Sequence, residues 1–117
     1  MKTHKDLDVW KDSIEFVTMI YRITSDFPKN EMYGIASQMR RAATSIPSNI
    51  AEGAARKSSN EFRQFLYISL SSAVEIDTQL IIAQNLGFVK SETVRKITHD
   101  LDSISRRLQG LIRSLDK

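Results

Sequence analysis

The sequence has no cysteine. Disulfides and thiolate metal sites are excluded, and a reducing cytoplasm is the expected location. Glycine and proline are scarce, at 4 and 2 in 117 residues. A chain with so few turn-formers is expected to fold into a few long elements. Histidine is limited to His4 and His99, which leaves little material for imidazole chemistry. No apolar run approaches the roughly 20 residues that a membrane-spanning helix needs. The start, MKTHKDLDVWKDSIEF, interrupts every apolar run with charge, unlike a secretory signal. No membrane partner is therefore expected.

What is present is ordinary for a globular protein: 41% hydrophobic and 26% charged residues. The length fits one domain over 1–117 with a single core. A net charge of +3 and an isoelectric point near 9.3 tolerate a nucleic-acid partner without demanding one.

Hydrophobic periodicity predicts four helices. The first, over 6–26, carries two apolar stripes: Leu7, Trp10, Ile14, Val17 and Tyr21, then, nearly opposite, Val9, Phe16, Met19, Ile20, Ile23 and Phe27. A helix on the surface of a monomer needs one apolar face. Two stripes predict burial in its own core and against a neighbouring subunit, with Val9, Phe16, Ile20 and Ile23 at the subunit interface. The alternative is that the second stripe covers the ends of its own bundle. Phe27-Pro28 ends this helix, because a residue before proline avoids the α region.

The second helix, over 34–54, presents Ile35, Met39, Ala42, Ala43, Ile46, Ile50 and Gly53 on one face and Ser37, Thr44, Ser48 and Ala51 on the other. Pro47 removes a backbone donor within it. The apolar register passes through Pro47 without a phase change, which predicts a continuous helix kinked there. A new helix with Pro47 at its first position is the alternative. Ser58-Ser59-Asn60-Glu61 reads as a capping box opening a third helix over 60–86. Its core face is Phe62, Phe65, Leu66, Ser69, Ala73, Ile76, Leu80 and Ala83, flanked by Tyr67, Leu70, Val74 and Ile81. Gly87 is placed as a left-handed cap. The fourth helix, over 92–116, repeats Val94, Ile97, Leu101, Ile104, Leu108, Leu111 and Leu115 at alternating spacings of three and four. Similar lengths and short connections predict an all-α fold, an antiparallel up-down-up-down four-helix bundle.

Catalytic chemistry finds no support. A di-iron bundle needs Glu-x-x-His motifs, but Lys96 stands three residues before His99. No G-x-S-x-G elbow occurs, and GAARKSS lacks the order of a phosphate-binding loop. The expectation is a non-enzyme without metal or cofactor. Asp77, Glu52 and Asn49 fall near core edges. They either lock helix register as charge pairs with Arg40 or Arg41, or form a polar pocket with Glu75. On the fourth helix Arg95, Arg106 and Arg113 fall within about 20° of one line, near His99. Arg56, Lys57 and Arg63 form a second basic cluster around a loop. Such a ridge could track phosphates, although Asp102 lies on the same line.

YGIASQMRRAATSIPSNIAEGAARKS followed by EFRQFLYISLSSAVEIDTQLIIAQNLGF resembles the four-helix-bundle proteins encoded in intervening sequences of bacterial 23S rRNA genes. The resemblance spans roughly 8–89, and Ile76-Asp77 stands where Leu-Glu is commoner. It implies an antiparallel bundle that forms ring-like homopentamers. It also implies kinship in fold with the basic accessory protein of diversity-generating retroelements, which works with nucleic acid. By position, Arg40, Arg41, Pro47, Asn49, Glu52 and Gly53 match the family signature and are expected to set fold or interface. The expected function is a homo-oligomeric, non-enzymatic bundle that binds RNA. The alternative is an adaptor bundle for a protein partner.

Overall fold

The computed structural model describes residues 3–116; residues 1, 2 and 117 of the expected 1–117 domain lie outside the described residues. Four helices form the fold: α1 (Asp8–Thr24), α2 (Ile35–Ala54), α3 (Ser59–Asn85) and α4 (Ser91–Ser114). Each packs on its neighbour in sequence, and α1 closes the ring against α4, giving a rod of 45 × 23 × 20 Å. Contacts fix the antiparallel order. Ser69 and Ser72 of α3 meet Ile46 and Ser45 of α2. Arg63 near the start of α3 reaches Leu115 after α4, and Asp12 of α1 pairs with Arg107 of α4 at 2.9 Å.

Local chemistry sets the ends. Thr3 caps a short 3₁₀ turn at His4–Asp6, and Leu7 is extended (φ −79°, ψ 125°), so α1 starts later than its apolar pattern suggests. At the other end, the hydroxyls of Thr24 and Ser25 donate back to the carbonyls of Ile20 and Tyr21, each at 2.7 Å. That competes with continuation of the helix. Phe27 then folds in, with its ring 5.6 Å from Phe88 of the α3–α4 connection, and plugs that end of the bundle. α2 runs unbroken through Pro47, which is buried. Ser58 caps α3 by accepting from the Glu61 amide at 3.1 Å. Gly87, at φ 79°, takes the left-handed cap expected of it.

The core corrects the reading of α1. Val9, Phe16 and Ile20 are 5%, 2% and 0% exposed and lie inside the bundle, and Ile23 packs half-buried against them. They are not available to a neighbouring subunit. The stripe that reaches solvent is the other one, with Ile14 and Tyr21 at 40% and 44% exposure. Two hydroxyl residues extend the buried arc on the side that adjoins the other stripe. Ser13 and Thr24 are fully buried because their hydroxyls are satisfied by the carbonyls of Trp10 and Ile20. The core face is centred on Ile20, with Ser13 and Thr24 toward one edge and Trp10 and Val17 as the half-buried flank beyond them.

α3 buries Leu66, Ser69, Ala73, Ile76, Leu80 and Ala83 as expected, adds Ser72 and Gln79, and leaves Phe62 and Phe65 half-buried. Its flank is open, with Tyr67 55%, Val74 67% and Ile81 52% exposed. This two-sided apolarity corrects the expectation about membrane-length runs. By length and composition alone α3 is apolar enough to cross a bilayer. In the bundle its inner face is core. α4 buries Ile97, Leu101, Ile104 and Leu108 on its seam, and Ile112 rather than Leu111 completes it.

Candidate nucleic-acid interface

α4 presents the basic surface. It begins at Ser91, whose hydroxyl accepts from Gln84 Nε2 at 2.9 Å and ties the new helix to the end of α3. Lys90, not Ser91, holds the capping position, and it makes no side-chain cap. With one face committed to the core, the opposite face forms a line of exposed residues: Arg95, His99, Asp102, Arg106, Gln109 and Arg113. From Arg95 to Arg113 the line runs about 27 Å at 1.5 Å per residue.

The cations of α4 divide into two groups. Lys96 pairs with Asp100 at 3.5 Å, and Arg107 with Asp12 of α1 at 2.9 Å. Arg95, Arg106 and Arg113 form no ion pair among the described residues. These three are the guanidinium groups free to meet a phosphate.

The second cluster, Arg56, Lys57 and Arg63, does not assemble as one free patch. Arg56 pairs with Glu52 at 3.4 Å and lies over the ring of Phe65, 4.9 Å from its centroid. Arg63 is structural. It donates to the carbonyl of Leu115 and to Asn60 Oδ1, and it pairs with the Asp116 carboxylate at 3.3 Å. A cation at a helix C-terminus complements the helix dipole and satisfies carbonyls that the helix leaves open. Only Lys57 stays exposed without an ion pair among the described residues.

The signature residues do not lock register through charge pairs. Arg40 meets hydroxyls and a carbonyl at the end of α1: Thr24 Oγ1 at 2.8 Å, the Tyr21 carbonyl at 3.2 Å and Ser25 Oγ at 3.2 Å. Its guanidinium also lies 4.6 Å from the centroid of the Tyr21 ring. Arg41 and Asp77 are exposed and form no ion pair among the described residues. Register between α2 and α3 rests on neutral contacts instead. Ser69 Oγ donates to the Ile46 carbonyl at 2.9 Å in the core, and Ser72 Oγ meets Ser45 Oγ at 2.9 Å. Gly53 allows the start of α3 to approach α2, since a Cβ there would sit 2.8 Å from Phe65 Cβ.

The polar pocket of Asn49, Glu52 and Glu75 does not form either. Asn49 Nδ2 donates to the Ser45 carbonyl at 2.8 Å, Glu52 goes to Arg56, and Glu75 accepts from Gln79 Nε2 at 3.2 Å. Two grooves flank α1. One, about 390 Å³, separates α1 from α4 over Phe16, Met19 and Ile104. The other, about 330 Å³, is mostly apolar and lies between Trp10, Ile14 and Val17 of α1 and Pro47 and Ala51 of α2.

Comparison with known proteins follows the fold closely. The family model described as 23S rRNA-intervening sequence protein matches residues 5–110. A crystal structure from Bacteroides thetaiotaomicron, described as a protein of unknown function from the S23 ribosomal protein family, aligns with a TM-score of 0.83 at 25% identity. The alignment covers 90% of this chain and 95% of that one. A search of curated proteins gave no match.

Proposed function

The chain belongs to the 23S rRNA-intervening sequence protein family, and from that premise we propose that it is a cytoplasmic, non-enzymatic, homo-oligomeric bundle that binds RNA. The observation that carries this reading is the line of exposed guanidinium groups at Arg95, Arg106 and Arg113, which form no ion pair among the described residues. Arginine presents a planar fork of donors suited to phosphate. Three such contacts on one protomer are weak, and their repetition around an oligomer multiplies them.

Assembly is supported by two apolar surfaces on different faces, the α3 ridge of Tyr67, Val74 and Ile81 and the groove between α1 and α2. A ridge that fills a groove elsewhere on the next copy makes a head-to-tail contact. Such contacts close into rings when the rotation allows, which accords with the pentamer implied by the family resemblance.

The test is a fluorescence-anisotropy titration of a labelled structured RNA at several salt concentrations. Three phosphate contacts predict a log–log slope of about −2 to −3 per protomer. The triple variant R95E/R106E/R113E should abolish binding. Absence of binding at low salt, or a triple variant with unchanged affinity, would refute the reading. The α3 ridge also favours a second reading, an adaptor for a protein partner. In that case substitutions on α3 would remove function and the arginine reversals would not.

A further inference from the structure

We propose that Asp102 tells RNA from DNA on this surface, accepting a hydrogen bond from a ribose 2′-hydroxyl of a duplex bound along α4. The inference rests on the nucleic-acid reading above and adds the class of ligand. Asp102 stands on the exposed line between Arg95 and Arg106, about 10 Å along the helix axis from the first and about 6 Å from the second. A carboxylate in a row of phosphate contacts would oppose a plain polyanion. Its neighbours Asp100 and Asp12 are neutralised by Lys96 and Arg107. Asp102 has no ion pair and donates or accepts no side-chain hydrogen bond among the described residues. Its lone pairs face solvent.

A group between two phosphate contacts needs a donor from the ligand, and phosphodiesters have none. The shallow minor groove of an A-form duplex displays rows of 2′-hydroxyls between its phosphate strands. A hydroxyl donating to a carboxylate makes a charge-assisted hydrogen bond. In a DNA duplex the minor groove offers no hydroxyl, and its one donor is the guanine amine. Asp102 is thus satisfied by RNA and repels DNA. Single strands are a poorer fit, because they are held by bases stacking on aromatic rings and α4 contains no Phe, Tyr or Trp. Three guanidinium groups on a rigid rod suit a ligand that is itself rigid.

The experiment compares an RNA duplex and a DNA duplex of about 16 base pairs, built only from A·U or A·T pairs so that the guanine amine is absent. Wild-type protein should bind the RNA duplex about fivefold or more tightly than the DNA duplex, the scale of one net hydrogen bond. Asp102→Ala should bring that ratio to about one, weakening RNA while tightening DNA. Asp102→Asn, which keeps an acceptor and loses the charge, should tighten both and retain the preference. If Asp102→Ala tightens both duplexes equally, the residue is only a repulsive charge and the proposal fails. It also fails if single-stranded RNA of the same sequence competes as well as the duplex. Wild-type protein that binds none of the three ligands at low salt would overturn the nucleic-acid reading itself.

Discussion

Arg40 Nε donates to Thr24 Oγ1 at 2.8 Å, and the same hydroxyl donates to the Ile20 carbonyl at 2.7 Å. One buried threonine thus joins the last turn of α1 to a cation on α2. Thr24→Val keeps the shape and removes the acceptor, leaving the guanidinium without its inner partner. The expected loss is ~1.5–3 kcal/mol, the range for a hydrogen bond to a charged group. Urea unfolding should show a lower midpoint with an unchanged slope. Arg40→Lys should lose a similar amount, since an ammonium cannot keep the fork that also reaches the Tyr21 carbonyl and Ser25.

Two glycines within helices should respond with opposite signs. A Cβ at Gly53 would meet Phe62 Cδ1 and Phe65 Cβ, each at 2.8 Å. Gly53→Ala should destabilise by ~1–2 kcal/mol, because overpacking outweighs the helix propensity gained. At Gly110 the nearest atom to a new Cβ is the flexible Arg113 Nη2 at 3.8 Å. Gly110→Ala should stabilise by up to about 1 kcal/mol. Thermal melts of the two variants beside wild type decide the point.

Arg63 and Arg106 separate fold from binding. Arg63 holds the end of α4 through the Leu115 carbonyl, so Arg63→Ala should cost ~1–2 kcal/mol and leave RNA affinity within about twofold at matched folded fraction. Arg106→Ala should do the reverse, weakening RNA and shifting the melting temperature little. Affinity and melting measured on both variants would expose a wrong assignment of either residue.

Charge placed on the α3 ridge should change assembly without unfolding the chain. The double variant V74E/I81E is expected to remain helical by circular dichroism and to scatter light as a single 13.4 kDa chain, where wild type scatters as an oligomer. Phe16→Glu should instead unfold, since that side chain is 2% exposed in the core. A V74E/I81E protein with the wild-type mass would remove the ridge from the interface.

The four helices, the cap at Gly87 and the inner face of α3 follow from spacing, because apolar periodicity and the φ freedom of glycine are local properties. The face of α1 does not. Ser13 and Thr24 are polar by type and buried in fact, since each spends its hydroxyl on its own helix. A wheel drawn from apolar residues alone cannot place them. The pattern of charges marks Arg40 as the partner of a carboxylate and Arg63 as part of a basic cluster, and neither reading describes what these side chains hold. Arg40 holds carbonyl and hydroxyl groups, and Arg63 adds a carbonyl and an amide to its one carboxylate. Backbone acceptors carry no mark in a sequence. The exposed line on α4 was legible for the same reason its ligand is not: free side chains leave the pattern undisturbed and name no partner.

Each helix packs on the next one along the chain, and among the described helix pairs the α1–α4 seam is the one that joins helices far apart in sequence. Short-range contacts of this kind give fast folding, because little loop entropy is spent before contacts form. The three consecutive hairpins can form as each pair of helices meets, and the α1–α4 seam closes last. That seam contains the groove over Phe16 and Ile104, spanned by the Asp12–Arg107 pair. In native-state hydrogen exchange, α1 and α4 should therefore open at lower free energy than the α2–α3 pair, whose amides report global unfolding.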